Sequence, residues 1–211
     1  MDKNKIIILG CGSQAIYALE ILLQQNREVS VFVNLESGAT TYTNINKIPV
    51  LENLSTLSDF DTQTHSVIVG HGNNEIKKNA SEFAESIGFT QVTAISNNSY
   101  VSPLAQVSHG TIINPNVSIM HGAKIGRDVI IHSGSIIEHD CVIGDYSNIG
   151  PGVALGGRVT VGESSYLYTG SKVIPNITIG NKSKIGAGTV VIKNVKSHTT
   201  IVGNPGRELS T

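Results

Sequence analysis

The sequence predicts two architectures in tandem: an α/β domain with a small parallel sheet, then a parallel β-helix solenoid. Two observations carry that division. From residue 101 to residue 191 an aliphatic side chain occupies every sixth position, sixteen in a row from Val101 through Ile119, Ile137 and Leu155 to Val191. A period held that long is the mark of a hexapeptide-repeat solenoid. Before residue 97 the chain instead alternates strand signals with helix signals. The turn-rich run Ser96-Asn97-Asn98-Ser99 separates the two patterns and sets domains at 1–96 and 97–211.

The N-terminal elements follow in order. Lys5–Leu9 is a continuous apolar strand, and Gly10-Cys11-Gly12-Ser13 is a tight turn. Ala15, Ile16, Leu19, Leu22 and Leu23 then recur at helical spacing. Residues 29–33 read as a second strand and 66–69 as a third, followed by Gly70-His71-Gly72. A helix over about 74–87 ends at Gly88, a residue type common at helix stops. Residues 91–95 read as a fourth strand. That order predicts a Rossmann-like α/β domain, with a parallel sheet and helices on its faces. Residues 34–64 are polar apart from an apolar knot at 48–51, and predict no clear element.

In the second half, three hexads make one coil of 18 residues, so residues 18 apart stack in neighbouring coils. Stacked strands lie ~4.8 Å apart. The position two before each inward aliphatic is small or β-branched, as at Ala123, Ser135, Cys141, Ser147 and Ser165. A single coil cannot bury its own face, so its neighbours must complete the core.

Composition limits the function. The chain has 211 residues, is 39% hydrophobic and 15% charged, and has a formal net charge of -1. This is a globular composition with no basic excess for nucleic acid and no partner surface for a membrane. No run approaches the ~20 apolar residues of a membrane span. The opening apolar run reads as a first strand and not as a signal peptide. Cys11 and Cys141 lie far apart without a CxxC pattern, which predicts a reduced, cytoplasmic protein.

His139 is the leading candidate for chemistry. It lies two positions past an inward residue in Ile137-Glu138-His139-Asp140-Cys141, at an outward-facing corner. Its column reads Pro103, His121, His139, Gly157, Pro175, Lys193. A histidine above a glycine leaves room for a ligand beside an exposed backbone N–H. Acyl transfer needs that pair, a base for the nucleophile and a donor for the oxyanion. Asp140 could orient the ring if the corner bends, and Glu138 competes for that role. His121, if charged, would disfavour protonation of His139; it could equally be plain stacking. Gly10-Cys11-Gly12-Ser13 could bind phosphate at a helix N-terminus, or be only a tight turn. Gly70-His71-Gly72 could line the same crevice. Cys141 reads as core. His65, His109, His132 and His198 read as surface or turn residues.

These segments together resemble the sialic-acid O-acetyltransferase and bacillosamine N-acetyltransferase family of sugar acetyltransferases. The resemblance rests on the N-terminal glycine turn, on Gly72-Asn73-Asn74-Glu75-Ile76-Lys77-Lys78, on Ile136-Ile137-Glu138-His139-Asp140-Cys141-Val142-Ile143-Gly144, on Ile174-Pro175-Asn176 and on Val202-Gly203-Asn204-Pro205-Gly206. It implies a left-handed β-helix and a homotrimer, with acetyl-CoA lying between two β-helices. It implies His139 as general base and Asp140 as its acidic partner. The matching acetyl-CoA contacts are Asn148, Gly157, Thr169 and Ala187. The matching nucleotide-sugar contacts are Gly12, Ser13, Gln14, Asn34, Leu35 and Gly72.

The implied activity is N-acetylation of a nucleotide-linked amino-sugar. The alternatives are O-acetylation of sialic acid or another surface sugar, and a non-catalytic sugar-nucleotide-binding scaffold. The chain departs from the family pattern at three places. Ser13-Gln14-Ala15 stands where Gly-His-Gly is usual, and Asn34-Leu35 where paired aspartates are usual. Asn148 stands where relatives often have a histidine near the thioester; its amide can still donate a hydrogen bond. Some β-helix proteins of this kind are zinc carbonic anhydrases, which need three converging histidines. His121 and His139 share a column while His132 lies elsewhere on the coil, so no metal site is expected.

Overall fold

The computed structural model describes residues 5–36 and 43–209. The chain divides into two compact units, residues 1–97 and 98–211.

In the first unit the strands are β1 (Lys5–Leu9), β2 (Glu28–Val33), β3 (Asn44–Ile45), β4 (Ile48–Leu51) and β5 (His65–Val69). They form one sheet in the order β3-β4-β2-β1-β5. The pairs β1–β2, β1–β5 and β2–β4 are parallel. Ile6, Ile7, Ile8 and Leu9 are all essentially inaccessible, as a strand covered on both faces must be. Helices α1 (Ser13–Gln24) and α2 (Asn74–Ser86) follow β1 and β5. On one face, Ile7, Leu9, Val31, Val67 and Val69 pack with Ala80 and Ala84 of α2.

Two parts of this sheet differ from the sequence expectation. Residues 91–95 do not supply its fourth strand. Only Gln91 bridges to Val67, and a separate short strand covers Ala94–Ile95. The Gln91 side chain instead bonds Ser81 Oγ at 2.7 Å and Glu85 Oε1 at 3.1 Å. The fourth parallel strand is β4, the apolar knot, which pairs Val50 with Phe32 and Leu51 with Val33. It arrives through a hairpin with β3, so the sheet is mixed rather than wholly parallel. The hairpin turn is Asn46-Lys47, both with positive φ, 49° and 65°. A two-residue turn of that kind usually advertises itself as Asn-Gly. With lysine in the second place, the signal is easily missed.

The second unit is the expected solenoid. Its strands are two residues long and stack in parallel on three faces. The register is the eighteen-residue step itself: Ile119 on Ile137, Ile125 on Ile143 and Ile131 on Ile149. Along the coils the inward aliphatics Ile137, Ile143, Ile149 and Leu155 are all buried. Three positions past each inward aliphatic from Val107 to Ile185 the backbone turns into the left-handed region. The series includes Gly122, Asp128, Gly134, Asp140, Tyr146, Gly152 and Arg158, with φ between 53° and 73°. These residues make the corners. The stack ends where Arg207–Glu208 pairs antiparallel with Thr200–Val202.

The small residues of the repeat close a polar ladder inside the coil. Ser147 Oγ donates to Gly162 O at 2.9 Å and accepts from Ser165 N at 3.1 Å. Ser165 repeats the arrangement one coil on, with Gly180 O at 2.8 Å and Ser183 N at 3.1 Å. Ser147 and Ser165 are both fully buried. Replacing Ser165 by Ala should lower the unfolding free energy by about 1–3 kcal/mol in urea, because a buried carbonyl and a buried N–H each lose a partner. No change in the midpoint would mean that water takes over both bonds.

Candidate active site

His139 and Asp140 occupy one corner of the solenoid. The backbone fixes them from both sides: Asp140 N donates to His121 O at 3.1 Å, and Arg158 N donates to His139 O at 2.9 Å. Asp140 has φ 60°, one of the left-handed corner residues. That bend turns its carboxylate back on its predecessor, and His139 Nδ1 lies 2.8 Å from Asp140 Oδ2. In a straight strand the two side chains would point to opposite faces. A carboxylate only accepts, so Nδ1 carries a proton, and in the neutral ring the lone pair is then on Nε2. The hydrogen bond from His139 holds the Asp140 carboxyl below the usual range, helped by the charges of His121 and Arg158 and opposed by partial desolvation. Asp140 therefore stays ionised, and the contact is lost only as pH falls through that lowered value.

Two glycines shape the seat. A Cβ on Gly157 would lie 2.5 Å from His139 Nε2 and 2.7 Å from Cε1. The imidazole thus lies directly on the Gly157 backbone, in the space that a side chain there would take. A Cβ on Gly122 would run into the Asp140 carboxylate. On the other side His121 stacks on His139, with ring centroids 5.5 Å apart and planes 15° from parallel. The His139 and Asp140 side chains keep 35% and 51% of their exposure, so the pair is open to a substrate.

The other residues expected around acetyl-CoA do not share this corner within one chain. Thr169 and Ala187 are exposed and one coil apart, past the strands Tyr166–Leu167 and Lys184–Ile185 on a different face. Asn148 pairs with Ile130 and Tyr166 in register and is 1% exposed, so solvent does not reach its side chain. His132, expected at the surface, is also buried, at 8% exposure. Cys141 is core, its Sγ donating to Gly156 O at 3.2 Å, and burial pushes its thiol up. Among the described residues no group of three or more His, Cys, Asp or Glu is arranged to hold a metal ion. No helix among them is long and apolar enough to cross a membrane.

The first unit holds a cavity of about 580 Å³ at the carboxyl ends of its strands. Gly12, Ser13, Asn34 and Leu35, all expected as substrate contacts, line it. Gln14 and Gly72 do not; they lie beside one another, Gln14 Cγ being 3.9 Å from the place of a Gly72 Cβ. Helix α1 begins at Gly12 with no side-chain cap and no acidic residue in its first turn. Its leading N–H groups and its dipole therefore favour an anion. Helix α2 is closed by contrast, because Asn73 Oδ1 accepts from Glu75 N and Ile76 N. Gly10 and Gly70 let the strand ends close on α1: a Cβ on Gly70 would lie 2.5 Å from Ala15 Cα.

Cys11 and His71 line this wall within the two glycine segments that the sequence placed at the crevice, whereas Glu36 and Asn44 were missed. Burial pushes the Cys11 thiol up, away from thiolate chemistry. Glu36 lies just past the end of β2, where an acidic residue commonly meets a nucleotide in open α/β sheets. That position was the available signal.

Residues 122–157 match the bacterial transferase hexapeptide (six repeats) family. A point mutant of perosamine N-acetyltransferase from Caulobacter crescentus, solved with CoA and GDP-perosamine, is 29% identical. The match covers 98% of this chain and 97% of that one, with a TM-score of 0.93. The acetyltransferase domain of PglB from Neisseria gonorrhoeae, solved with acetyl coenzyme A, is 26% identical over 98% of this chain and 99% of that one, TM-score 0.91. WeeI from Acinetobacter baumannii AYE shares the fold at 24% identity, covering 97% of this chain and 99% of that one, TM-score 0.87. No curated protein sequence matches the chain.

The seat of the imidazole gives a direct structural test. Gly157→Ala should force the ring off its backbone platform and break the Nδ1–H to Asp140 bond. The wild-type protein should show a downfield Nδ1–H resonance in proton NMR, and the variant should lose it. Retention of that resonance in a folded variant would mean that the glycine does not set the ring position.

Proposed function

We propose that this chain, a hexapeptide-repeat acetyltransferase, transfers the acetyl group of acetyl-CoA to the amine of a nucleotide-linked amino-sugar. The observation that carries the reading is the His139–Asp140 pair at the solenoid corner, with Nδ1 turned to the carboxylate and the ring partly exposed. The likeness to perosamine N-acetyltransferase and to the PglB acetyltransferase domain supports both the donor and the acceptor class. The cavity at the start of α1 supplies the kind of donors that a diphosphate needs.

Transfer is direct. The neutral amine attacks the thioester carbonyl carbon, and Nε2 of His139 takes the proton that the nitrogen sheds. Asp140 holds Nδ1–H throughout and stabilises the imidazolium that forms. The tetrahedral intermediate collapses, the C–S bond breaks, and the thiolate of CoA leaves with the proton from His139. We assign oxyanion stabilisation to the Gly157 N–H. Neither cysteine serves as a nucleophile, since one is core and burial keeps both as thiols.

The assembly in this reading is a homotrimer. Thr169 and Ala187 lie on one corner of the chain, and His139 with Gly157 on another. A groove between neighbouring β-helices would join the first set from one copy to the second from the next, with acetyl-CoA along it. Asn148 is buried and in this scheme acts by holding its face of the coil.

Thiol release from acetyl-CoA, measured against UDP-, dTDP- and GDP-linked 4-amino-sugars, tests the reading. One acceptor should support turnover. His139→Ala should reduce that turnover by about 10²–10⁴-fold while acetyl-CoA still binds. Equal loss of acetyl-CoA binding would make His139 a binding contact instead of the base. Turnover only with hydroxyl acceptors, giving a hydroxylamine-labile product, would replace the amine by an alcohol.

A further inference from the structure

The cavity of the first unit is lined by two chemically distinct sets of groups, and the second bears on which nucleotide it takes. One is the glycine turn and the open start of α1, suited to phosphate. The other is Glu36, beyond β2, and His71, beyond β5. Their loops fix the Glu36 backbone and the His71 ring. Asn34, expected to touch substrate, spends its amide on the backbone of Glu36. Its Nδ2 donates to Glu36 O at 2.8 Å, and its Oδ1 accepts from Glu36 N at 3.2 Å. Asn34 therefore sets the position of Glu36.

His71 is held in one tautomer. Asn73 N donates to His71 Nδ1 at 3.1 Å, so the ring proton sits on Nε2. That Nε2 lies 3.4 Å from Glu36 Oε1. The two side chains keep 17% and 48% of their exposure. The cavity thus presents one N–H donor beside a carboxylate with acceptors to spare.

We propose that Glu36 and His71 form a guanine-reading site, so that the nucleotide carried by the sugar is GDP. The inference rests on the nucleotide-sugar reading above and narrows it. The pairing edge of guanine has one carbonyl acceptor, O6, followed by two donors, N1–H and the 2-amino group. His71 Nε2–H matches O6, and the Glu36 carboxylate takes N1–H and the amino group together. Two parallel bonds to one carboxylate are charge-assisted and geometrically specific. Uracil and thymine place a single N–H between two carbonyls, so one carboxylate oxygen would face a carbonyl. Adenine turns its amino group toward the His71 donor and its ring acceptor toward the carboxylate. A carboxylate against the wrong edge is left unpaired as water is displaced, which penalises the mismatch beyond the lost bond.

The test is calorimetric binding of GDP, 2′-deoxy-GDP, UDP and dTDP to the full chain and to Glu36→Gln. Thermal melting of the ligand-free proteins checks that the variant is folded. Wild-type protein should bind GDP and 2′-deoxy-GDP alike, and at least about tenfold tighter than UDP or dTDP. Glu36→Gln should weaken GDP by about 10- to 100-fold while UDP changes by about twofold or less. Equal or tighter binding of UDP or dTDP would overturn the assignment while leaving the nucleotide-sugar reading intact. So would GDP binding unaffected in Glu36→Gln. A loss confined to 2′-deoxy-GDP would show that Glu36 reads the ribose hydroxyl and not the base. If none of the four nucleotides binds, the nucleotide-sugar reading fails and this inference fails with it.

Discussion

Everything at the His139 corner depends on the parallel, eighteen-residue register of the solenoid. Ile119 stacks on Ile137 and Ile137 on Leu155, each an inward aliphatic with almost no exposure. Because side chains alternate sides of a strand, a slip of one residue would turn this buried set outward. The register therefore has only one low-energy setting. Once it is fixed, His139 must lie between His121 and Gly157, and Asp140 must fall beside Gly122. The His139 ring is oriented by the adjacent Asp140 carboxylate, by the stack on His121 and by the two glycines that leave room for the pair. Such an arrangement loses little entropy when a substrate arrives, since the corner is already rigid.

The first unit solves a different problem by different means. Its sheet is buried on both faces, and its ligand-facing atoms come from loops beyond the strand ends. Phosphate-type recognition there needs only main-chain N–H groups and a helix that no side chain caps. Base-type recognition needs side chains held against their own flexibility. The Asn34 amide fixes the backbone of Glu36, and the Asn73 N–H fixes the ring of His71. In the proposed reading, the chemistry of the corner would serve any amine or alcohol acceptor, and discrimination would belong to this cavity and to residues such as Glu36 and His71.

The solenoid was nearly fully legible because its signal is one-dimensional. A six-residue period names the inward residues, and the eighteen-residue step names the vertical neighbours, including the His121–His139–Gly157 column. What the period could not give was the dihedral of a single corner residue. Asp140 in the left-handed region brings its carboxylate onto the adjacent ring, and nothing in a hydrophobic period reports that. The period also says only that a side chain points away from the coil, not that it meets solvent. Asn148 and His132 point outward in the pattern and are nonetheless buried. In the α/β unit, β1 and both helices were legible from apolar runs and helical spacing. The strand Ile48–Leu51 was not, because its hairpin turn lacks glycine and its pairing with Phe32 and Val33 is non-local. Asn34 was legible as a loop residue near the ligand, but its role depends on a bond to the backbone two positions away.

The account stands or falls on direct transfer to nitrogen at the His139 corner. The most direct measurement is mass spectrometry of both protein and product through a single turnover, with acetyl-CoA and an accepted amino-sugar nucleotide. The account predicts that the sugar gains one acetyl group as a hydroxylamine-resistant amide, while the protein mass never changes. An acetylated protein appearing before product would contradict it, and so would an ester as the only product.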